Sequence, residues 1–216
     1  MKAQAQIKLY THLVEHYETC LAQHGDTHRG VDWPNAQDAQ TRYQVMLDVI
    51  RPTSGKVTLL DFGCGAAHLY EYIQQHHRHQ IEYAGLDLSA EFLTLARQKF
   101  PTIPFYHLDL LTSPEHELPS FDYVVLNGVL TEKLQMTNEE MWNYAQQLLR
   151  AVFAKTRGGL AFNVMSKQVD WERDDLFHLS LDRLAEFLVR DLSRHFVVRN
   201  DYGLYEYTTY VYRTAQ

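Results

Sequence analysis

The segment TLLDFGCGAAHLYEYI, Thr58 to Ile73, changes character twice over a short stretch. It opens with apolar residues typical of a strand, breaks at Asp61-Phe62-Gly63-Cys64-Gly65-Ala66-Ala67, and resumes with helical spacing. One glycine is enough for a simple turn. Two glycines that flank a single residue keep Cβ atoms away from the backbone, which indicates that a ligand lies against this turn.

Strand-like and helix-like segments alternate from Lys56 onward. The strand-like segments lack polar alternation, which predicts a parallel sheet covered by helices on both faces. They read VTLLDF, IEYAGLDL, IPFYHLDL, FDYVVLNG and GLAFNVM. The C-terminal FVVRNDYGLYEYTTYVYR contains two strand-like runs joined by a short turn with a glycine, so we expect the last strand to run antiparallel to its neighbour.

Two amphipathic helices precede the first predicted strand. The first carries apolar residues at intervals of three and four, from Ile7 to Leu21, and stops at Gly25. The second runs from about Asp38 to Ile50 and ends before Pro52. We therefore expect residues 1–55 to form a helical lid over a core of residues 56–216, together one compact domain.

The composition of the chain limits the kinds of molecule that it is expected to bind. The chain has 216 residues, 45% of them apolar, and a net charge of −7, which argues against nucleic acid as a partner. The absence of a long apolar run and of a signal-peptide pattern predicts no membrane contact and a cytoplasmic location. Cys20 and Cys64 form no disulfide framework. The histidines of QQHHRHQ lack metal-ligand spacing, so no metal site is expected.

Two acidic residues bear on the kind of ligand. Asp87 follows Gly63 by 24 positions, at the end of the next predicted strand, where a carboxylate can accept both hydroxyls of a ribose. Asp61 is unfavourable beside a phosphate but suits a cationic sulfonium or ammonium group. Asp61 can equally be a buried carboxylate that ties down the loop, and the two interpretations are compatible.

Four motifs in order, followed by the terminal hairpin, resemble the class I S-adenosylmethionine-dependent methyltransferases. They are LLDFGCGAAHL, YAGLDLS, FYHLDLL and FDYVVLNGVL. The resemblance spans about Lys56 to Arg213 and implies S-adenosylmethionine as cofactor. The implied α/β fold is a Rossmann-like, doubly wound, seven-stranded sheet, mostly parallel, with the last strand inserted antiparallel beside the sixth. Ala67 replaces a glycine often seen in the first motif.

The resemblance also implies how the cofactor is held. Gly63, Cys64 and Gly65 would lie against its methionine and ribose parts, while Asp87 holds the ribose hydroxyls and Leu88 packs on adenine.

The third and fourth strands complete the implied cofactor site. Asp109 would accept from the adenine amino group, and the Leu110 backbone N–H would face the ring. Asn127 and Gly128 would lie under the methionine part, although Asn127 also suits a plain strand-end turn.

The predicted lid supplies two further candidates. Arg42 offers a guanidinium fork for the cofactor carboxylate, or is an ordinary exposed helix arginine. Trp33 either covers the ligand or anchors its loop on the core, and its large apolar area favours anchoring.

Methyl transfer is an in-line displacement, so the chain's main task is to hold the acceptor atom ~3 to 3.5 Å from the methyl group. A hydroxyl or ammonium acceptor also needs a base. The turn of the C-terminal hairpin is expected to bring Asp201 and Tyr205 toward the acceptor, together with Tyr202 and Glu206, the first candidates for that base. Each of them also suits a plain turn or strand-surface position, which is the favoured interpretation for any single one.

The segment VLTEKLQ lacks the Asn-Pro-Pro-Tyr pattern of base and glutamine methylation. Its Glu132 and Lys133 either face the acceptor or lie in solvent, and solvent is favoured for such long charged side chains. We therefore expect a small-molecule acceptor and a monomer or homodimer. Two alternatives stay open: an inactive S-adenosylmethionine-binding subunit or regulator, and a nicotinamide-dependent oxidoreductase.

Overall fold

The computed structural model describes residues 2–113 and 118–216, with side chains from Tyr10 onward, so the side chain of Ile7 lies outside the described part. The helices are α1 (Lys2–His24), α2 (Ala36–Leu47), α3 (His68–Gln75), α4 (Ala90–Lys99), α5 (Asn138–Ala154) and α6 (Leu181–Phe187). A 3₁₀ turn spans His28–Val31, and a π-helical turn, Leu188–Leu192, follows α6. The strands are β1 (Val57–Phe62), β2 (Ile81–Asp87), β3 (Phe105–His107), β4 (Phe121–Leu126), β5 (Thr156–Ser166), β6 (His178–Leu179), β7 (His195–Arg199) and β8 (Glu206–Tyr212).

The strands form one open sheet in the order β3-β2-β1-β4-β5-β8-β7. Neighbours from β3 to β5 are parallel, whereas β8 runs antiparallel to both β5 and β7. This confirms the predicted seven-stranded sheet with an inserted antiparallel last strand. The sheet also has an eighth member, because the two-residue β6 pairs with the end of β5.

Apolar side chains cover both faces of the sheet, as predicted for a doubly wound fold. Alternate residues of β1 divide between the faces: Leu60 packs with α5 and α6, and Leu59 packs with α2 and α3. Each face is therefore a buried layer, and the open surface nearest the predicted site is the edge where the parallel strands end.

The two N-terminal helices have different positions. α1 lies over the strand ends, where the Tyr10 hydroxyl donates to Asp109 at 2.5 Å and Ser89 Oγ donates to Glu18 at 2.6 Å. α2 packs on a sheet face, and the hydroxyl of Tyr210 donates to its Val45 carbonyl. α1 and the loop after it therefore cover the strand ends, whereas α2 packs on the sheet and contributes Tyr43 and Arg42 to the cavity walls. In the described part of the chain, no helix has the length and apolarity needed to cross a membrane.

Candidate functional site

The turn after β1 has the backbone that its glycines predict. Gly63 has φ +76° and Gly65 has φ +50°, values in the left-handed region that L side chains disfavour. The N–H groups of Gly63 and Cys64 both donate to the Leu86 carbonyl, which fixes the turn against the end of β2. A Cβ on Gly63 would lie 2.5 Å from Val129 Cγ2. The turn therefore presents bare backbone at the sheet edge.

A cavity of about 150 Å³, the first cavity, lies over this turn. Its wall comes from the ends of β1, β2 and β4 and from the inner side of α1. Nine of the predicted cofactor residues line it: Trp33, Asp61, Gly63, Cys64, Gly65, Asp87, Leu88, Asn127 and Gly128. Arg42, Asp109 and Leu110 do not. The motifs at the first, second and fourth strand ends thus meet at one place.

Of the two acidic residues predicted at this site, Asp61 is buried and Asp87 is half-buried, and both are hydrogen-bonded. Asp87 accepts from the Gly65 N–H at 2.8 Å and from the Ser89 N–H at 2.9 Å. Asp61 is 3% exposed and accepts from the Tyr83 hydroxyl at 2.8 Å. Burial raises the pKa of Asp61 to about 7, against the opposing hydrogen bond of Tyr83. Asp61 therefore lines the cavity and also fixes β1 to β2, in line with both interpretations of this residue.

Asp109 is screened from the first cavity by Tyr10, which is one of its lining residues. The Tyr10 hydroxyl and the Leu111 N–H occupy the two carboxylate oxygens of Asp109. The Tyr10 ring stacks on Tyr144 with 5.0 Å between centroids. In this arrangement α1 separates Asp109 from the first cavity, and Leu110 does not line that cavity.

Arg42 and Glu206 belong to a network that supports the end of β4. The Gly128 N–H donates to Asn163 Oδ1 at 2.8 Å, and Asn163 Nδ2 donates to Glu206 Oε1 at 2.8 Å. Glu206 Oε2 accepts from Arg42 Nε at 2.9 Å and Nη2 at 2.8 Å. The Arg42 guanidinium lies over the Trp33 ring, 3.9 Å from its centroid. Trp33 in turn covers Gly128, so it both anchors its loop and closes the cavity.

Both candidates for the catalytic base have hydrogen-bond partners of their own in the structure. Glu206 is 1% exposed, and its two oxygens are occupied by Arg42 and Asn163, so it serves as a counter-ion within the network. Tyr202 lines neither cavity described here, and its hydroxyl lies 2.9 Å from Thr208 Oγ1. Asp201 pairs with Arg199 at the surface. Only Tyr205, 70% exposed, joins Glu206 in lining the second cavity.

A second cavity of about 500 Å³ adjoins the first, with which it shares Tyr17, Val31 and Trp33. Glu132 lies in its wall and is 13% exposed, so the expectation that this side chain faces solvent is wrong. Burial and then Asp32 raise the pKa of Glu132 to about 8. Its neighbours come from distant parts of the chain, so the local sequence gave no signal of its position.

Three buried side-chain atoms in the cavity walls have no hydrogen-bond partner among the described residues. Asn127 Oδ1 is an acceptor in the first cavity, Arg42 Nη1 is a donor in the second, and Glu132 Oε2 is an acceptor there. A buried polar atom without a partner costs ~1–3 kcal/mol. Their position indicates that ligands complete these hydrogen bonds.

A family model for a methyltransferase domain matches residues 60–153. A Mycobacterium tuberculosis protein named "Putative methyltransferase Rv1506c" is 27% identical over 157 residues, which cover 72% of this chain and 92% of that protein.

Solved structures of low sequence identity share the fold. Magnesium protoporphyrin IX methyltransferase from Synechocystis PCC 6803, with bound S-adenosylhomocysteine, is 14% identical, with 99% of both chains covered and a TM-score of 0.59. The amino pentose methyltransferase CalS10 from Micromonospora echinaspora, with bound S-adenosylmethionine, is 16% identical, with 83% of this chain and 90% of that chain covered and a TM-score of 0.54. The solved structures show that the chain has the fold of these methyltransferases, and the strand order, the glycine turn after β1, the family model and the relative support a class I S-adenosylmethionine-dependent methyltransferase.

Proposed function

We propose that this chain binds S-adenosylmethionine in the first cavity and transfers its methyl group to a small molecule in the second. The observation that carries the proposal is a pair of unpartnered atoms on either side of the boundary between the cavities, Asn127 Oδ1 in the first and Arg42 Nη1 in the second. Asn127 Oδ1 can accept from an ammonium group, and Arg42 Nη1 can donate to a carboxylate. Ammonium and carboxylate are the two charges of a methionine moiety.

The nucleoside end of the cofactor fits the other half of the first cavity. An ionised carboxylate has about four acceptor positions, and Asp87 uses two of them for Gly65 and Ser89. The remaining positions suit two ribose hydroxyls. Leu88 offers an apolar surface for adenine in the same wall. We retain Asp109 and Leu110 as adenine contacts that become accessible when Tyr10 moves away.

Entry of the cofactor requires α1 to move. Pockets for small ligands have volumes of about 300–1,000 Å³, and the first cavity is smaller than this range. Tyr10 and Glu18 of α1 hold the cavity closed through single hydrogen bonds to Asp109 and Ser89. We infer that α1 opens for binding and closes again over the cofactor.

The reaction relies chiefly on positioning. Bound S-adenosylmethionine supplies an electrophilic methyl group on a sulfonium, and the chain orients the acceptor toward it. Tyr17, Val31 and Trp33 form the boundary between the two cavities, so an acceptor in the second cavity approaches across apolar and aromatic side chains. These side chains also exclude water, which protects the reactive methyl group from hydrolysis.

The alternatives have less support. A dinucleotide-binding sheet has the order 3-2-1-4-5-6 and needs no antiparallel insertion, whereas β8 here lies between β5 and β7. The presence of a second cavity beside the first favours an enzyme over a subunit that only binds the cofactor.

The proposal is tested by supplying S-adenosylmethionine with a deuterated methyl group to the purified protein and a protein-free small-molecule extract. Mass spectrometry should find a deuterium-labelled product together with an equal amount of S-adenosylhomocysteine. Both should fall strongly in Asp87→Ala. Cofactor binding without any labelled product would favour the inactive binding subunit instead.

A further inference from the structure

Four side chains with metal-binding groups meet where α1 contacts two loops. His16 and Cys20 are one helical turn apart on α1, Asp32 follows the 3₁₀ turn, and Glu132 lies in the loop after β4. From His16 Nε2, the distance is 2.9 Å to Asp32 Oδ2, 3.4 Å to Glu132 Oε2 and 3.8 Å to Cys20 Sγ. Imidazole, thiolate and carboxylate are three of the usual ligand types for zinc.

Two of these three separations, those from His16 to Glu132 and to Cys20, match the distances between ligands around a single ion. Zinc binds nitrogen and oxygen at about 2.0–2.2 Å and sulfur at about 2.3 Å, so tetrahedral ligands lie roughly 3.3–3.8 Å from one another. His16, Cys20 and Asp32 each offer a ligand atom within 4.8 Å of the others. These three groups can therefore share one ion, and Glu132 Oε2 lies 3.4 Å from the same His16 nitrogen, beside them.

The negative charges of this cluster also favour a bound cation. Asp32 and Glu132 have His16 as their only ion-pair partner among the residues that the structure describes. The guanidinium of Arg173 also lies near Glu132, but it donates a hydrogen bond to the Asp175 carboxylate. Glu132 Oε2 is buried and lacks a hydrogen bond, and the Asp32 and Glu132 carboxyl groups both lie against the same His16 nitrogen. A bound cation would remove this repulsion and satisfy the unpartnered oxygen.

We propose that His16, Cys20, Asp32 and Glu132 form a structural zinc site. Four protein ligands leave no open position, which is typical of a structural site, and the imidazole and thiolate favour zinc over magnesium or calcium. The ion joins α1 to the loop after β4, at the boundary of the two cavities. It therefore holds the moving helix in its closed position. The expectation of no metal site was based on the histidines of QQHHRHQ, and none of these histidines belongs to the proposed zinc site.

The test uses zinc and cobalt and needs no methyl acceptor. Protein freed of metal by a chelator is incubated with Zn²⁺, desalted and analysed for metal. We expect one zinc ion per chain. Replacement by Co²⁺ should give the visible bands of tetrahedral cobalt and a near-ultraviolet thiolate-to-cobalt band, because Cys20 is a ligand.

Two ligand variants and one matched control decide the result. His16→Ala and Cys20→Ser should lose the bound ion, and Cys20→Ser should also lose the thiolate band. His12→Ala should keep both, since His12 lies on the same helix and pairs with Glu15 instead of with the proposed ligands. Circular dichroism confirms that each variant is folded. Failure of the wild-type protein to take up zinc, or uptake that survives in both ligand variants, would overturn the proposal.

Discussion

Asp87 is the single residue on which nucleoside binding chiefly depends in this account. Asp87→Asn keeps the shape but removes the charge that would hold the ribose hydroxyls. Affinity for S-adenosylhomocysteine should fall by about 10- to 150-fold, since a hydrogen bond to a charged group is worth ~1.5–3 kcal/mol. Calorimetric titration measures the change. Glu91→Gln, an exposed change on the neighbouring α4, is the control, and equal affinity of the two variants would contradict the assignment.

Asp61 should make stability depend on pH. Burial raises its pKa from 3.8 to about 7, so the folded state keeps a proton that the unfolded chain releases in this range. The free energy of unfolding contributed by Asp61 therefore falls as the pH rises from about 4 to about 7 and is then constant. Asp61→Asn should gain stability relative to the wild-type protein across this range, as measured by urea unfolding.

Asp122 provides a comparison of opposite sign. Burial opposes ionisation of Asp122, but hydrogen bonds from Arg157 and Thr58 outweigh it and lower its pKa. Asp122→Asn should therefore lose stability at neutral pH and approach the stability of the wild-type protein in acid.

If Asp61→Asn and the wild-type protein show parallel profiles of stability against pH, Asp61 is not a buried protonated group.

Among the elements, the turn after β1 can be tested with three glycines. Gly63→Ala forces an L side chain into φ +76° and also places its Cβ against the side chain of Val129. Gly203→Ala has the same backbone cost at φ +79°, but its Cβ has no neighbouring atom within 4 Å. Gly55→Ala has neither problem. We expect the loss of stability to rank Gly63→Ala, then Gly203→Ala at ~1–2 kcal/mol, then Gly55→Ala near zero. Thermal unfolding gives the ranking, and a Gly63→Ala variant as stable as Gly203→Ala would contradict it.

The closing helix α1 can be tested at Tyr10. Tyr10→Phe keeps the ring that stacks on Tyr144 but removes the hydrogen bond to Asp109. A closed helix held by one bond fewer should open more often, so S-adenosylhomocysteine should associate several-fold faster in stopped-flow measurements. Tyr205→Phe, an exposed tyrosine outside the first cavity, should leave the rate unchanged. An unchanged rate in Tyr10→Phe would show that α1 does not limit entry.

Across the molecule, the features predicted correctly were those encoded locally. Apolar periodicity gave the strands and most of the helices, and turn chemistry gave the bend at Gly63 and Gly65, because each depends on neighbouring residues. Ion pairs between distant residues could not be predicted from neighbouring residues. Glu206 and Arg42 are 164 positions apart. The local sequence of the hairpin therefore does not show that the Glu206 carboxylate is paired.

The second cavity was missed for the same reason. Its walls combine α1, the loop after the 3₁₀ turn, the loop after β4 and the start of β8, and no one segment carries a recognisable pattern. Glu132 looked like a solvent-exposed residue because its buried position depends on His16 and Asp32, which are far away in the sequence.

The central claim is that an adenosyl sulfonium compound occupies the first cavity, and calorimetric titration tests it most directly. S-adenosylmethionine and S-adenosylhomocysteine should each bind with a stoichiometry of one, and NAD⁺ should produce no binding heat. Binding of NAD⁺ in competition with S-adenosylhomocysteine, or no binding of either adenosyl compound, would contradict the account.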